Sequence, residues 1–329
     1  MCGRRWHRVR TAELCRGRER VTETAAGYIG VDIGGTNMRG ALVLHDGTIM
    51  ERFRIKSAIA EGAEAFLSRL IDEVLLLLHW AADRGVQVRG VGLGIPGLIG
   101  ADGIIHSSVN LRPLEGLNLA DLLMPQVAVP VVSANDANLI ALGEARAGAG
   151  HGMRSLMVVT IGTGLGSGLI LDGRLWSGVD GFAAEFGHIT VVPEGVPCPC
   201  GNRGCLEQYV SAAALSRHGG GRAPEELAAA ARTGEPAAIE AFNTLGYWLG
   251  TALAGLVNTL NLECILIGGG VAAGYDLFVP SVKKQLLRRA FPQMAERVVV
   301  CQTALGDDAG LVGAALLAAA AGAGTSHLC

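Results

Sequence analysis

Within eighteen residues the chain places His188, Cys198, Cys200 and Cys205, the last three inside CPCGNRGCLE (198–207). Thiols this close can form a disulfide, a redox pair or a metal site. Cys-x-Cys-x4-Cys is not the Cys-x-x-Cys of redox proteins. The other cysteines do not make a secreted disulfide framework: Cys2, Cys15 and Cys329 lie near the termini, and Cys264 and Cys301 lie in apolar, strand-like runs. Three thiolates and one imidazole complete a closed tetrahedral set, the form used for structural zinc. Gly201 and Gly204 permit the tight chain path between the thiols. Spacing alone leaves two plainer readings open: three free thiols, and His188 as a neutral hydrogen-bonded histidine.

A second chemistry is written in glycine. DIGGTN (32–37) reads as a hairpin turn in which Gly34 and Gly35 let successive N–H groups converge on an anion, while Thr36 adds a hydroxyl and Asn37 an amide. Asp32 beside such an anion makes sense if Mg²⁺ sits between them, through water. GTGLGSG (162–168) offers a second turn through Gly162, Thr163 and Gly164, and Gly268, Gly269 and Gly270 a third after an apolar strand. There is no Walker P-loop, and GTGLGSG sits in a hairpin rather than before a helix, so it is not a dinucleotide fingerprint. Any one of these turns alone is simply a tight hairpin; together they predict phosphate cradling. Asp136, in SANDAN (133–138), ends an apolar strand just before a helix. There it can serve as a general base, or Asn135 or Asp136 can merely cap the helix.

The elements that must position these residues alternate. VDIGGTNMRGALV (31–43) and VTIGTGLGSGLIL (159–171) align without a gap at an offset of 128, both reading as strand, glycine turn, strand. Further strands are predicted at 48–57, 88–97, 129–136 and 264–270, and helices at 61–85, 137–150, 237–260, 275–290 and 309–321. The 61–85 helix carries Phe66, Leu70, Val74 and Leu78 on one stripe. Strands alternating with helices predict an α/β fold, and the doubling predicts two such domains with a cleft between them.

Composition narrows the class. The chain has 329 residues, a prior for about two domains, with 48 glycines and a net charge of −3. That balance argues against a broad nucleic-acid-binding face. Seven arginines crowd residues 1–26, read as a disordered extension with no apolar stretch and hence no secretory signal. No apolar run is long enough to span a bilayer, and the expected location is cytoplasmic, with no nucleic acid or membrane partner.

The glycine turns resemble the phosphate and adenosine loops of the actin, hexokinase and heat-shock ATPase superfamily. EFGH (185–188) followed by CPCGNRGCLE is similar to the zinc signature of the ROK family of sugar kinases and related repressors. GYIGVDIGGTNMRGALV, GLGIPGLI, SANDANLIALGE and VVTIGTGLGSGLI match that family in order, over residues 27–324. The resemblance implies two ribonuclease H-like (actin-like ATPase) domains around a central cleft, with a zinc-binding loop at 188–205. The smaller domain would be 27–136 with about 308–324, the larger 137–307. It implies His188, Cys198, Cys200 and Cys205 as zinc ligands, Asp136 as catalytic base, and a sugar site of Gly97, Asn110, Asn135, Asp136, Glu185, His188 and Glu207. It implies ATP with Mg²⁺ at the three glycine turns, a hexose acceptor phosphorylated at C6, glucose first, and a homodimer or higher oligomer. One segment departs from the pattern: many glucokinases of the family carry Pro-Asn-Leu and then tryptophan, whereas SSVNLRPLEGLNL (107–119) has Val109 before Asn110 and no tryptophan. That leaves the pocket wall open, with an N-acetylhexosamine (GlcNAc or ManNAc) kinase as the alternative. A sugar-responsive repressor is a poorer expectation, since only about 26 residues precede the first turn. A sugar-binding protein without catalysis is a third alternative.

Overall fold

The computed structural model describes residues 25–322. The chain runs β1 (Ala25–Ile33), β2 (Asn37–Leu44), β3 (Ile49–Lys56), α1 (Ala63–Asp83), β4 (Val86–Ile95), the short hairpin β5 (Leu98–Ile99) and β6 (Ile105–Ser107), α2 (Leu119–Val127), β7 (Val131–Asn135) and α3 (Asp136–Ala147). It continues with β8 (Leu156–Ile161), β9 (Leu165–Leu171), β10 (Arg174–Leu175), α4 (Ala212–His218), α5 (Pro224–Arg232), α6 (Pro236–Leu260), β11 (Cys264–Gly268), α7 (Tyr275–Arg289), α8 (Pro292–Ala295), β12 (Val299–Gln302) and α9 (Ala309–Gly322). Among these no helix is long and apolar enough to cross a membrane. Most of the arginine-rich stretch, and Cys2, Cys15 and Cys329, lie outside the described residues; its last two residues do not belong to an extension, because Ala25 and Ala26 already pair with β4.

Two five-stranded sheets share one plan. The first runs β3-β2-β1-β4-β7 and the second β10-β9-β8-β11-β12. In each, an antiparallel hairpin leads into strands that pair in parallel. The repeat at offset 128 is therefore structural, with one correction. Between the last paired residues, Ile33–Met38 and Ile161–Leu165, lie four residues in the first turn and three in the second. The gapless alignment fails there, and Gly40 and Gly168 hold different registers: Val31 faces Gly40, whereas Val159 faces Ser167.

The period-two pattern of the strands sorts the packing. On β1, Ile29, Val31 and Ile33 join Phe66, Leu70 and Val74 of α1 in one core. The buried stripe of α1 continues through Leu77 and Ala81; Leu78 is only half-buried, because 3.6 residues per turn carry the stripe to 77. On the opposite face, Gly30 and Gly92 are bare against the backbone of α9, where a Cβ would strike the carbonyls of Leu311 and Ala314. The second sheet packs Met157, Val159 and Ile161 against α6 and α7, and Leu156 and Val158 against Ala141 and Ala145 of α3. So α3, which follows the first sheet in the chain, lies on the second. Helix α9, which follows the second sheet, lies on the first. The two helices touch each other where Gly143 and Gly313 remove side chains from the contact. Buried Glu144, near the end of α3, accepts the N–H groups of Ala149 (2.9 Å), Ala304 (3.0 Å) and Leu305 (2.7 Å), tying α3 to the loop that leads into α9.

Candidate active site

The chemistry-bearing residues gather where the parallel strands end and glycine turns begin. The first turn is closed by Gly34 N–H donating to Asn37 O (2.9 Å). It is buttressed by Ser57, whose hydroxyl donates to Gly35 O (2.8 Å) and whose N–H donates to Thr36 O (3.0 Å). Thr36 is exposed, and Asn37 opens β2. The second turn is closed by Gly162 N–H to Gly164 O (2.9 Å), with Thr163 exposed. In the third, Gly269 (φ +85°) approaches Ile161 closely and Gly270 is exposed. Gly268 is still inside β11, buried and opposite Thr160, so it packs the strand rather than opening the turn.

Of Asn135 and Asp136, it is Asn135 whose side chain caps the helix. Asn135 caps α3 by accepting Asn138 N–H (3.0 Å), and its amide donates to Gly97 O (3.0 Å), reaching the turn after β4. Asp136 is the first helical residue; its Oδ1 accepts Ala137 N–H (2.8 Å). Burial, then the negative charges of Asp32 and Glu185, push its carboxyl up to about 6 against the pull of its backbone hydrogen bonds. A carboxyl raised toward neutral pH is of the kind that can act as a general base.

Asp32 has an ion-pair partner within its own hairpin. Arg39, directly across the hairpin, forms an ion pair with it and lies 3.4 Å from Asp307. Sequence reasoning missed Arg39. The signal was the hairpin register, which sets residue 32 opposite residue 39 once the turn length is known. Asn110 sits against the first turn: a Cβ on Gly35 would lie 3.1 Å from both Asn110 Cβ and Asn110 O.

The cysteine loop brings Glu185 and Glu207 to the same region. Cys200 Sγ lies 3.6 Å from Cys205 Sγ, and Cys198 Sγ lies 3.7 Å from His188 Nδ1. The four ligand atoms all lie within 4.8 Å of one another. The edges of a zinc tetrahedron with these ligands are about 3.5–3.8 Å, so the donors fit the ion in type and spacing. Gly201 and Gly204 take positive φ (+94° and +72°), as the tight path requires. The side-chain amides of Asn202 and Gln208 point at Cys205 Sγ (3.4 Å) and Cys198 Sγ (3.6 Å), which suits thiolates. Glu207 leaves the loop as a brace: its Oε2 accepts Leu165 N–H (2.8 Å) at the second glycine turn. His188 Nε2 faces Glu185 Oε2 at 3.9 Å. Desolvation raises the Glu185 carboxyl above its ordinary range, opposed by His188 and helped by Glu207.

The ROK family model matches residues 28–321. The glucokinase of Halalkalibacterium halodurans is 35% identical over 308 residues, covering 87% of this chain and 93% of that protein. An N-acetylgalactosamine kinase of a Shewanella species is 32% identical over 326 residues, covering 91% of this chain and 99% of that protein. Among solved structures, the ROK glucokinase of Streptomyces griseus in complex with glucose and AMPPNP superposes with a TM-score of 0.74 at 34% identity, covering 89% of this chain and 99% of that one.

Proposed function

We propose that this chain, which belongs to the ROK family and is an ATP-dependent sugar kinase of actin-like fold, transfers the γ-phosphoryl group of ATP to the C6 hydroxyl of glucose. The observation that carries the mechanism is Asp136, held at the start of α3 and pushed up to about 6 beside Asp32 and Glu185.

In this reading Asp136 accepts the proton of the acceptor hydroxyl as that oxygen attacks phosphorus in line. The N–H groups of the turns at 34–36 and 162–164 cradle the phosphates, and the turn at 269–270 meets the adenosine end. Mg²⁺, when bound with ATP, neutralises phosphate charge; Asp32 would hold it through water. Asn110, Asn135, Glu185, His188 and Glu207 orient the sugar, with Glu207 and His188 at the anomeric end and the Gly97 backbone nearby. Such a pocket rejects an analogue that leaves its polar groups unpaired. His188, Cys198, Cys200 and Cys205 would hold zinc, whose part is to fix the loop and so both of its carboxylates. Residues 27–136 with α9 would close on 137–307 about the α3–α9 contact, excluding water from the transfer.

An N-acetylhexosamine acceptor is the second reading. It is favoured by Val109, 77% exposed where the pocket wall lacks a tryptophan. A coupled ADP-release assay over a hexose panel with MgATP tests both. A dominant signal with glucose supports the first reading, and one with an N-acetylhexosamine the second. No release with any hexose would sink the kinase mechanism.

A further inference from the structure

The segment 177–183, between β10 and Glu185, leaves its own sheet and lands on the β5–β6 hairpin of the other half. Ala101 N–H donates to Asp180 O (2.9 Å). Gly181 (φ +92°) lies so close to the hairpin that a Cβ there would sit 2.6 Å from Ile99 O. The ring of Phe182 meets the ring of His106 edge to face, with centroids 5.2 Å apart and planes at 84°. The segment closes on itself through Ala183 N–H to Ser177 O (2.9 Å).

Both ends of this bridge lead to the sugar-site residues. On one side Ala184, with φ +68°, gives its carbonyl to the Ser167 hydroxyl of β9, and Phe186 N–H donates to the same oxygen (3.3 Å). Glu185 stands between these two anchored neighbours. On the other side β6 runs into Ser108, whose hydroxyl donates to Pro96 O (2.7 Å) and whose N–H donates to Glu115 (2.9 Å), and then into Val109 and Asn110. The strap thus joins the anchored segment that carries Glu185 to the hairpin that runs into Asn110.

We propose that 177–183 is a strap across the two halves, and that Phe182, through its contact with His106, is a positioning residue that presets the acceptor pocket. Phe182 does not touch the reacting atoms; it spares the sugar the cost of drawing the two walls together. The positioning role rests on the sugar-kinase reading, whereas the strap contact can be measured without any sugar.

The test is Phe182→Ala against Phe182→Tyr, read in two ways. Amide hydrogen exchange of the sugar-free protein follows Ala101, whose N–H is covered by Asp180. Steady-state kinetics follow the hexose that the wild type uses best. Losing an edge-to-face ring contact predicts a sugar KM raised about three- to tenfold in Phe182→Ala, with kcat at saturation within about twofold and KM for MgATP unchanged. Ala101 exchanges faster in Phe182→Ala, and Phe182→Tyr restores both readouts. Phe182 is only half-buried, so zinc content and Tm stay near wild type; a general loosening of the fold would lower them instead. Unchanged Ala101 exchange would overturn the strap. A fall in kcat at constant KM, or a KM that does not move, would overturn the positioning role. Wild type with no turnover on any hexose would instead overturn the kinase reading and the positioning role with it, while Ala101 exchange still decides the strap.

Discussion

One ring nitrogen of His188 faces the cysteine cluster and the other faces Glu185. Nδ1 lies 3.7 Å from Cys198 Sγ, and Nε2 lies 3.9 Å from Glu185 Oε2. A metal on Nδ1 fixes the ring, and with it the direction of Nε2. The cysteine loop and the proposed sugar site would thus share one imidazole.

Removing a thiolate should therefore be felt by the sugar. Cys200→Ser is expected to lose zinc and to free Glu185 and Glu207 together, weakening sugar affinity by about ten- to a hundredfold. Metal content by mass spectrometry and sugar affinity by calorimetry check this. Survival of both would refute the account of the loop.

The base should leave a mark on the pH profile. As the proposed base, Asp136 would work only when ionised, so kcat/KM for the sugar should fall below about pH 6, where its half-buried carboxyl takes up its proton. Asp32 adds to that rise, and Arg39 pairs with Asp32. Arg39→Ala exposes Asp136 to the full charge of Asp32 and should move the acid limb to higher pH. A limb that stays in place would show that Asp32 is not felt at Asp136.

The same carboxyl should cost stability. A group whose folded value is raised is disfavoured when ionised, so the cost is present above about pH 6 and fades as the pH falls toward the ordinary carboxyl range. Asp136→Asn should lower kcat by about 10²–10⁴ while leaving sugar binding mostly intact. At pH 7.5 it should also stabilise the fold by about 2 kcal/mol, a gain that shrinks in acid. Thermal melts at pH 7.5 and 5 check the sign, and single-turnover kinetics check the loss; wild-type turnover in this variant would remove Asp136 as base.

Glu144 should matter far from the chemistry. Its carboxylate is fully buried and receives N–H groups from residues 149, 304 and 305. Glu144→Gln turns an amide donor toward donors, which should cost about 3 kcal/mol and loosen the α3–α9 junction. Denaturant melts read the loss, and a midpoint equal to wild type would mean that the loop satisfies its N–H groups otherwise.

Local spacing along the chain was enough to mark the cysteine cluster, while the pointer to zinc and to His188 came from the family resemblance. Cys198, Cys200 and Cys205 lie in one short turn-rich stretch, and glycine at 201 and 204 permits the positive-φ turns that bring the thiols together. The two hairpins were legible for the same reason, since strand, glycine turn and strand are short-range patterns. The register inside them was not, because the sequence does not say that one turn holds four residues and the other three. That difference of one residue decides which side chain faces which, and Arg39 opposite Asp32 was lost with it.

Contacts between distant segments belonged to the tertiary structure alone. Nothing near Glu144 in the chain points to residues 304 and 305, and nothing near Phe182 points to His106. The first pairing arises because α3 and α9 each cross to the other half, where glycines at 30, 92, 143 and 313 let backbones approach, and the second because the segment after β10 crosses to the β5–β6 hairpin. Residue types and short spacings by themselves determined the chemistry available to this protein: thiolates for a metal, turns for phosphate, a carboxylate for a proton. Close packing between remote elements decided where those groups stand, how far the buried carboxyl is shifted, and which neighbours hold the pocket in place, because burial and long-range contact depend on partners that the local sequence does not contain.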